Sequence, residues 1–262
     1  MPKEANNKPL ILVSNDDGVR AGGINALIEL LRPMGDIWVV APEKGESGMS
    51  HAISIARPVH AHLLKEEKNL HIYSCTGTPV DSVKLAINKI LPRKPDFLVS
   101  GINHGSNASI SVIYSGTMGA AIEGCLNGIP SVGFSLLNPS PAADFSVAVN
   151  IIREILKNLI EYKLPQGTCL NVNIPDIPLN QIKGIRTCRQ TRGVWREEYD
   201  ERTDPRGGKY YWLTGDFHNF EVGAKDTDEW ALANNYVAIV PIEVDFTSYE
   251  GIKFLNNWIY GI

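Results

Sequence analysis

Up to about residue 160 the chain alternates short apolar runs with amphipathic stretches. Leu10 to Ser14 is a buried-strand pattern. Ile24, Leu27, Ile28 and Leu31 then fall at i, i+3, i+4 and i+7, one face of a helix that Pro33 stops. Asp36 to Val40 predicts a second strand, ending at Ala41-Pro42, and His71 to Ser74 a third. Thr78 is placed to cap the next helix, with Pro79 at its first position and Asp81 three residues after the cap; Val80, Val83, Ile87 and Ile90 supply its apolar face. Phe97 to Ser100 predicts another strand, running into a loop rich in glycine and asparagine. A helix from about Gly116 to Leu126 carries Gly119, Ala120 and Ala121, small residues that suit close packing on a sheet. Ser131 to Ser135 reads as a strand, and Ala148, Ile151, Ile152, Ile155 and Leu159 mark one more amphipathic helix. Strands alternating with helices predict a mostly parallel sheet flanked by helices on both faces, an α/β, Rossmann-like fold.

After Pro165 the pattern changes. Cys169 to Ile174 alternates like a strand, but residues 184 to 250 carry Trp195, Tyr199, Tyr210, Tyr211, Trp212 and Trp230 among glycines and prolines, without helical periodicity until the end. This predicts a C-terminal extension of hairpins and loops, about 165–262, on a core of about 9–164, the whole forming one domain. Its aromatic content suits a subunit interface used in oligomerisation and suits ordinary packing equally.

Composition narrows the class. Hydrophobic residues at 44% and charged residues at 21% fit a soluble globular protein able to build a core without staples. A net charge of −4 argues against a protein that coats nucleic acid. It leaves room for a phosphate substrate, because a bound cation reverses the local field. Cys75, Cys125, Cys169 and Cys188 form no CxxC pair and read as free thiols of a reducing compartment. The polar segment Met1 to Leu10 is unlike a signal peptide, and no run approaches the roughly 18 apolar residues of a membrane span. The expectation is a soluble, cytoplasmic protein.

The sharpest chemical feature is Ser14-Asn15-Asp16-Asp17-Gly18, directly after the first strand. In an open parallel sheet, ligands gather at the carboxyl ends of the strands. Two adjacent carboxylates there resist joint ionisation unless a positive charge sits between them. A hard cation such as Mg²⁺, Mn²⁺ or Ca²⁺ meets that need, although the same residues also make a good surface turn. Three more polar loops matter, two of them after strands and the third leading into a helix. Glu46-Ser47-Gly48-Met49-Ser50-His51 offers hydroxyls to a cation or to a phosphate oxygen. In Ser100-Gly101-Ile102-Asn103-His104-Gly105-Ser106-Asn107, Asn103 offers a carbonyl oxygen to a cation and Asn107 amide donors to an anion. Tyr114-Ser115-Gly116-Thr117 leads into a helix whose N-terminus presents free N–H groups to a phosphate, with the Ser115 and Thr117 hydroxyls beside them; Ser115 is equally a plain N-cap. Together these loops favour one hard-cation site beside a helix tip. His51 and His104 lie in the same loops, where a part in proton transfer competes with an ordinary structural role. No GxxxxGK[ST], no GxGxxG after the first strand and no GxSxG occurs, so P-loop, dinucleotide and acyl-transfer chemistry lack their motifs.

Val13-Ser14-Asn15-Asp16-Asp17-Gly18, Val40-Ala41-Pro42, Ser47-Gly48-Met49-Ser50, Gly77-Thr78-Pro79-Val80-Asp81, Val99 to Asn107 and Tyr114-Ser115-Gly116-Thr117 resemble, in order and spacing, the survival protein SurE family. The likeness extends through Asn171-Val172-Asn173-Ile174-Pro175 and Asp204-Pro205-Arg206-Gly207. The resemblance implies a 5'-nucleotidase, also acting on 3'-nucleotides and in some members on short polyphosphate, that forms dimers or tetramers through swapped C-terminal segments. It implies one divalent cation per subunit, Mg²⁺ or Mn²⁺, held by Asp16, Asp17, Ser47 and Asn103, with phosphate contacts at Asn107, Ser115, Gly116 and Thr117. One departure bears on the pocket wall. Many members have the pattern GxNxGxD, whereas this chain reads Ala108-Ser109-Ile110-Ser111-Val112-Ile113 after Asn107.

The mechanism this implies is in-line attack on phosphorus by a cation-activated water, with Asp16, Asp17 and Asn107 as the catalytic residues. An aspartyl-phosphate route through Asp16 is the lesser variant. The expected partners are nucleoside monophosphates and further copies of the chain, not nucleic acid or membrane. Two rivals come from other classes. A non-catalytic nucleotide-binding module would not need two carboxylates, and a dinucleotide-dependent oxidoreductase lacks its glycine fingerprint.

Overall fold

The computed structural model of the chain describes residues 8–258. In chain order its strands and helices are β1 (Leu10–Ser14), α1 (Gly22–Leu31), β2 (Asp36–Pro42), β3 (Ala61–Glu67), β4 (Leu70–Cys75), α2 (Pro79–Leu85), β5 (Phe97–His104), α3 (Gly116–Leu126), β6 (Ser131–Leu136) and α4 (Ser146–Glu161). They continue with β7 (Thr168–Ile174), β8 (Ile185–Thr187), β9 (Gly193–Thr203), β10 (Lys209–Asn219), α5 (Asp228–Ala233), β11 (Val237–Glu243) and α6 (Tyr249–Leu255). Nine strands form one sheet in the order β3-β4-β2-β1-β5-β6-β7-β11-β8, while β9 and β10 pair only with each other. The six strands from β4 to β7 are parallel neighbours; β3 and β11 join antiparallel at the two sides.

Alternation along the strands divides the core. Ile11 and Val13 of β1 face the layer that holds Ile24, Leu27 and Leu31 of α1 with Ile151, Ile152 and Ile155 of α4. Leu12 faces the opposite layer, with Val83 of α2 and Met118, Ala120 and Ala121 of α3. The α/β sandwich read from the sequence is therefore present, and its order places the site. The connection from β1 leads outward to β2, the one from β5 leads the other way to β6, and the crevice between β1 and β5 is a topological switch point.

Three local outcomes differ from the pattern reading. β3 is absent from it because this edge strand is exposed along nearly its whole length and shows no buried stripe. The helix beyond Leu85 continues as a wider π turn over Ala86–Ile90. β5 runs to His104, four residues past the expected end at Ser100, because the glycine and asparagine there build a bulged strand and not a loop. Between Ser100↔Gly133 and Asn103↔Ser135 the register with β6 slips by one residue, and Gly101 takes φ +125°, where L side chains are strained. In the C-terminal extension the hairpin is as expected, but β11 and β8 widen the main sheet beyond β7.

The cap at Thr78 is a full capping box: Asp81 N–H donates to Thr78 Oγ1 (3.1 Å) and Thr78 N–H to Asp81 Oδ2 (3.0 Å). The same carboxylate accepts the Ser54 amide (3.0 Å), pinning the loop that follows β2. Burial opposes ionisation of Asp81, yet these donors outweigh it and hold the carboxyl below its ordinary range. Asp81→Ala is expected to lower unfolding stability by about 2 kcal/mol, read by urea denaturation at pH 7, because it strands buried amides of two segments at once.

Candidate active site

β1 ends in the acidic loop. Asn15 Nδ2 donates to the Gly18 carbonyl (3.0 Å), and Gly18 turns the chain at φ +102°, a conformation L side chains rarely adopt, with the Lys44 carbonyl carbon a tight 3.1 Å from where a Cβ would stand. The second loop lies alongside: Glu46 N–H donates to the Asp16 carbonyl (2.7 Å), and Val19 N–H to the Pro42 carbonyl (2.8 Å). Two loops far apart in sequence are thus tied at one end of the sheet.

Asp16 is 3% exposed and meets the N-terminus of α3. Thr117 Oγ1 donates to Asp16 Oδ1 in a short hydrogen bond, and the Thr117 backbone amide also faces the carboxylate. Gly116 permits this approach, since a Cβ there would stand 2.7 Å from Asp16 Cβ and 3.0 Å from Oδ2. Burial, reinforced by the neighbouring Asp17 charge and only partly offset by Thr117, pushes the Asp16 carboxyl up to about 6. Burial raises Asp17 as well, against the opposing influence of His104, whose amide donates to Asp17 Oδ2 (3.3 Å). Among the described residues no Lys or Arg forms an ion pair with either aspartate.

The bulge in β5 aims Asn103 at the same end of the sheet. Asn103 Nδ2 donates to the carbonyls of Gly105 (3.0 Å) and His104 (3.3 Å), and Oδ1 accepts no hydrogen bond among the described residues. The structure thus brings Asp17 to the residue beside Asn103 and brings Asp16 to Gly116 and Thr117. Ser47 is exposed next to Glu46, and no hydrogen bond among the described residues fixes its side chain. Ser115 acts as the N-cap of α3, accepting the Met118 amide (3.0 Å). With the Ser115 and Thr117 hydroxyls engaged in this way, the Thr117 amide facing Asp16, the Met118 amide on Ser115 Oγ and the Gly119 amide on the Ser115 carbonyl (2.9 Å), the Ser115 and Gly116 N–H groups are the ones in this turn left for an anion among the described residues. His51 Nε2 stands 3.3 Å from Glu123 Oε2 on α3, and His104 packs edge-on against Phe145. These contacts fix where the two rings lie.

Asn107 is held on every side. Its side-chain amide donates to Ser135 Oγ (2.9 Å), its backbone amide to Asn173 Oδ1 (2.8 Å), and its carbonyl accepts Asn171 Nδ2 (2.8 Å); Asn173 Nδ2 in turn donates to Asn171 Oδ1 (3.0 Å). Ser135, Asn171 and Asn173 are buried polar residues that the pattern reading passed over. The signal for them was the alternation of Asn171 and Asn173 around Val172 in a strand otherwise buried. Their meaning appears only with the register, which lines up Asn103, Ser135 and Asn173 across β5, β6 and β7. In the segment that departs from the resemblance, 108–113, Ser109–Ile113 forms a 3₁₀ turn after an extended Ala108; Ala108, Ser109 and Val112 are buried, and Ser109 takes φ +53°.

Comparison with known proteins follows the same lines. A family model described as "Survival protein SurE" matches residues 11–197. A protein of Phocaeicola vulgatus named 5'-nucleotidase SurE is 53% identical over 251 residues, 96% of this chain and 97% of its own. One of Christiangramia forsetii with the same name is 53% identical over 253 residues, again 96% and 97%. The crystal structure of the SurE protein from Aquifex aeolicus superposes with a TM-score of 0.80 at 36% identity, covering 95% of this chain and 100% of that one.

Proposed function

Given that the chain belongs to the survival protein SurE family, we propose that it hydrolyses nucleoside 5'-monophosphates to nucleoside and inorganic phosphate in the crevice between β1 and β5. It is a phosphoric monoester hydrolase whose substrates extend to 3'-monophosphates and short polyphosphate. The observation that carries this reading is the buried Asp16 against the tip of α3 with the half-buried Asp17 beside it, neither of them ion-paired to Lys or Arg among the described residues. Two carboxylates driven toward protonation by burial, with no cationic side chain to pair them, form a donor set that a hard divalent cation completes. Asp16, Asp17, Asn103 Oδ1 and the Ser47 hydroxyl would hold it, as one Mg²⁺ or Mn²⁺ per subunit. When bound, such a cation lowers the pKa of a water and stabilises charge on phosphoryl oxygens.

The remaining steps belong to the chain itself. The Ser115-Gly116-Thr117 turn aims N–H groups and the positive end of the α3 dipole at the phosphoryl group. Asn107 contributes its amide from a rigid frame, so little reorganisation accompanies charge development in the transition state. Thr117 fixes the Asp16 carboxylate, which acts as a ligand and not as a nucleophile. Among the described residues no helix is long and apolar enough to cross a membrane. The proposed enzyme is cytoplasmic, and the aromatic hairpin β9–β10 is the surface for a homodimer or homotetramer.

The test is a panel of 5'- and 3'-nucleotides, sugar phosphates and polyphosphate, assayed after chelation and again with Mg²⁺ or Mn²⁺. Activity on 5'-nucleotides that is lost with chelator and restored by either cation supports the proposal. Undiminished activity in chelator overturns its cation-dependent form, and nucleotide binding without turnover favours a non-catalytic module. A pH dependence follows as well. Below about 6 a proton competes with the cation for Asp16, so Mn²⁺ should raise the melting temperature clearly at pH 7.5 and hardly at pH 5. Equal Mn²⁺-induced shifts at both pH values would show that Asp16 is not a ligand.

A further inference from the structure

Asp228, at the start of α5, lies beyond the residues matched by the family model, yet its carboxylate is 1% exposed and surrounded by donors. Oδ2 accepts the Ser109 amide (2.8 Å); Oδ1 accepts the Thr191 amide (2.9 Å), the Thr191 hydroxyl (2.5 Å) and the Glu229 amide (2.9 Å). Ser109 Oγ closes the ring by donating to the Thr191 carbonyl (2.8 Å). Three segments of the chain therefore meet on one buried anion. The segment that gains most is Ser109, which must hold φ +53°, a left-handed conformation that costs a residue with a Cβ. Ser109 stands two residues after Asn107, whose side-chain amide is aimed by Ser135.

We propose that Asp228 is a positioning residue for phosphoryl binding: it locks the left-handed turn at Ser109 and so fixes the register of Asn107 in the pocket. The inference rests on the reading that Asn107 binds the phosphoryl group. A carboxylate suits the task because its two oxygens accept every hydrogen bond they make among the described residues; an asparagine would turn its NH₂ toward an N–H or O–H already pointing inward. The C-terminal extension is thus built into the pocket wall, through the very turn where this chain departs from the GxNxGxD pattern.

The experiment uses full-length protein and two probes, a nucleoside 5'-monophosphate as substrate and inorganic phosphate as product inhibitor, at a temperature well below unfolding. Asp228→Asn should raise KM and the phosphate inhibition constant together by about tenfold, with a smaller change in kcat and an unchanged Mn²⁺ dissociation constant. A role confined to global stability would lower the melting temperature and move none of these. Adding Ser109→Gly to Asp228→Asn should bring both constants back to within about threefold of wild type, because glycine adopts the turn without an anchor. If Asp228→Asn does not fold, Thr191→Val, which removes one donor and keeps the carboxylate, should shift the same two constants in the same direction by a smaller factor. Wild-type constants in a folded Asp228→Asn or Thr191→Val variant, or a shift that Ser109→Gly leaves untouched, overturn the inference. Asn107→Ala separates the two levels. If it leaves the phosphate inhibition constant unchanged, the reading of Asn107 fails and the inference falls with it; if it raises that constant while Asp228→Asn does not, only the inference fails.

Discussion

Asp16→Asn is expected to lower kcat/KM by about 10³-fold or more while making the cation-free protein more stable at pH 7.5. The two effects have one cause. In the folded chain burial lifts the Asp16 carboxyl to about 6 from its ordinary value of 3.8. The folded state therefore binds the proton more tightly than the unfolded chain does. Stability is unaffected by this group below the unfolded value and falls as pH rises through 4 to 6. At 1.36 kcal/mol per unit the loss reaches about 3 kcal/mol by neutral pH. Asparagine keeps the shape and an acceptor for Thr117 but carries no charge to bury, so it removes that loss together with the anionic ligand. Urea unfolding of both proteins in chelator, at pH 4.5 and 7.5, reads the stability half. The variant should gain over wild type at the higher pH and distinctly less at the lower, which lies near the start of that window. A stable variant with wild-type turnover would falsify the assignment of Asp16.

Gly116→Ala should cost about 10²-fold in activity through a single methyl group. At the first position of an exposed helix the change from glycine to alanine would be neutral or favourable. Here the added Cβ would stand 2.7 Å from Asp16 Cβ and 3.0 Å from its Oδ2, closer than carbon atoms tolerate, and Asp16 cannot yield without leaving Thr117. The expected signature is a displaced carboxylate: weaker Mn²⁺ binding by titration calorimetry, lower kcat, and a folded protein by circular dichroism. Gly223→Ala makes the contrast, because an added Cβ there meets nothing within 4 Å and the backbone is outside the left-handed region. Equal activity of Gly116→Ala and wild type would mean that Asp16 has slack at the helix tip.

What could be read in the sequence follows from how each element announces itself. β1, α1, α3 and α4 were legible because their buried faces impose an apolar period over several turns or a full strand. The acidic loop was legible because two carboxylates after a buried strand need a chemical reason. β3 was not, since an exposed edge strand has no buried stripe to reveal it. β11 was hidden by Pro241, which lacks an N–H, inside a run that nonetheless pairs with β7. Asn103 was identified as a ligand but set in a loop; the bulge that aims it depends on a register slip against β6. Ser135 and Asn173 come beside it only through pairing across three strands, and Asp228 meets Ser109 across 119 positions of sequence. The chemistry of single residues is thus local and readable, whereas the frame that orients them is a property of sheet register.

The most direct measurement is the anomalous scattering of a crystal grown in Mn²⁺ after chelation of the purified protein. One peak is expected in the β1–β5 crevice, with Asp16 and Asp17 carboxylate oxygens and Asn103 Oδ1 at about 2.0–2.6 Å from it, as hard divalent cations require. Saturating Mn²⁺ that leaves those oxygens bare, or that gathers only at another place on the chain, would contradict the account.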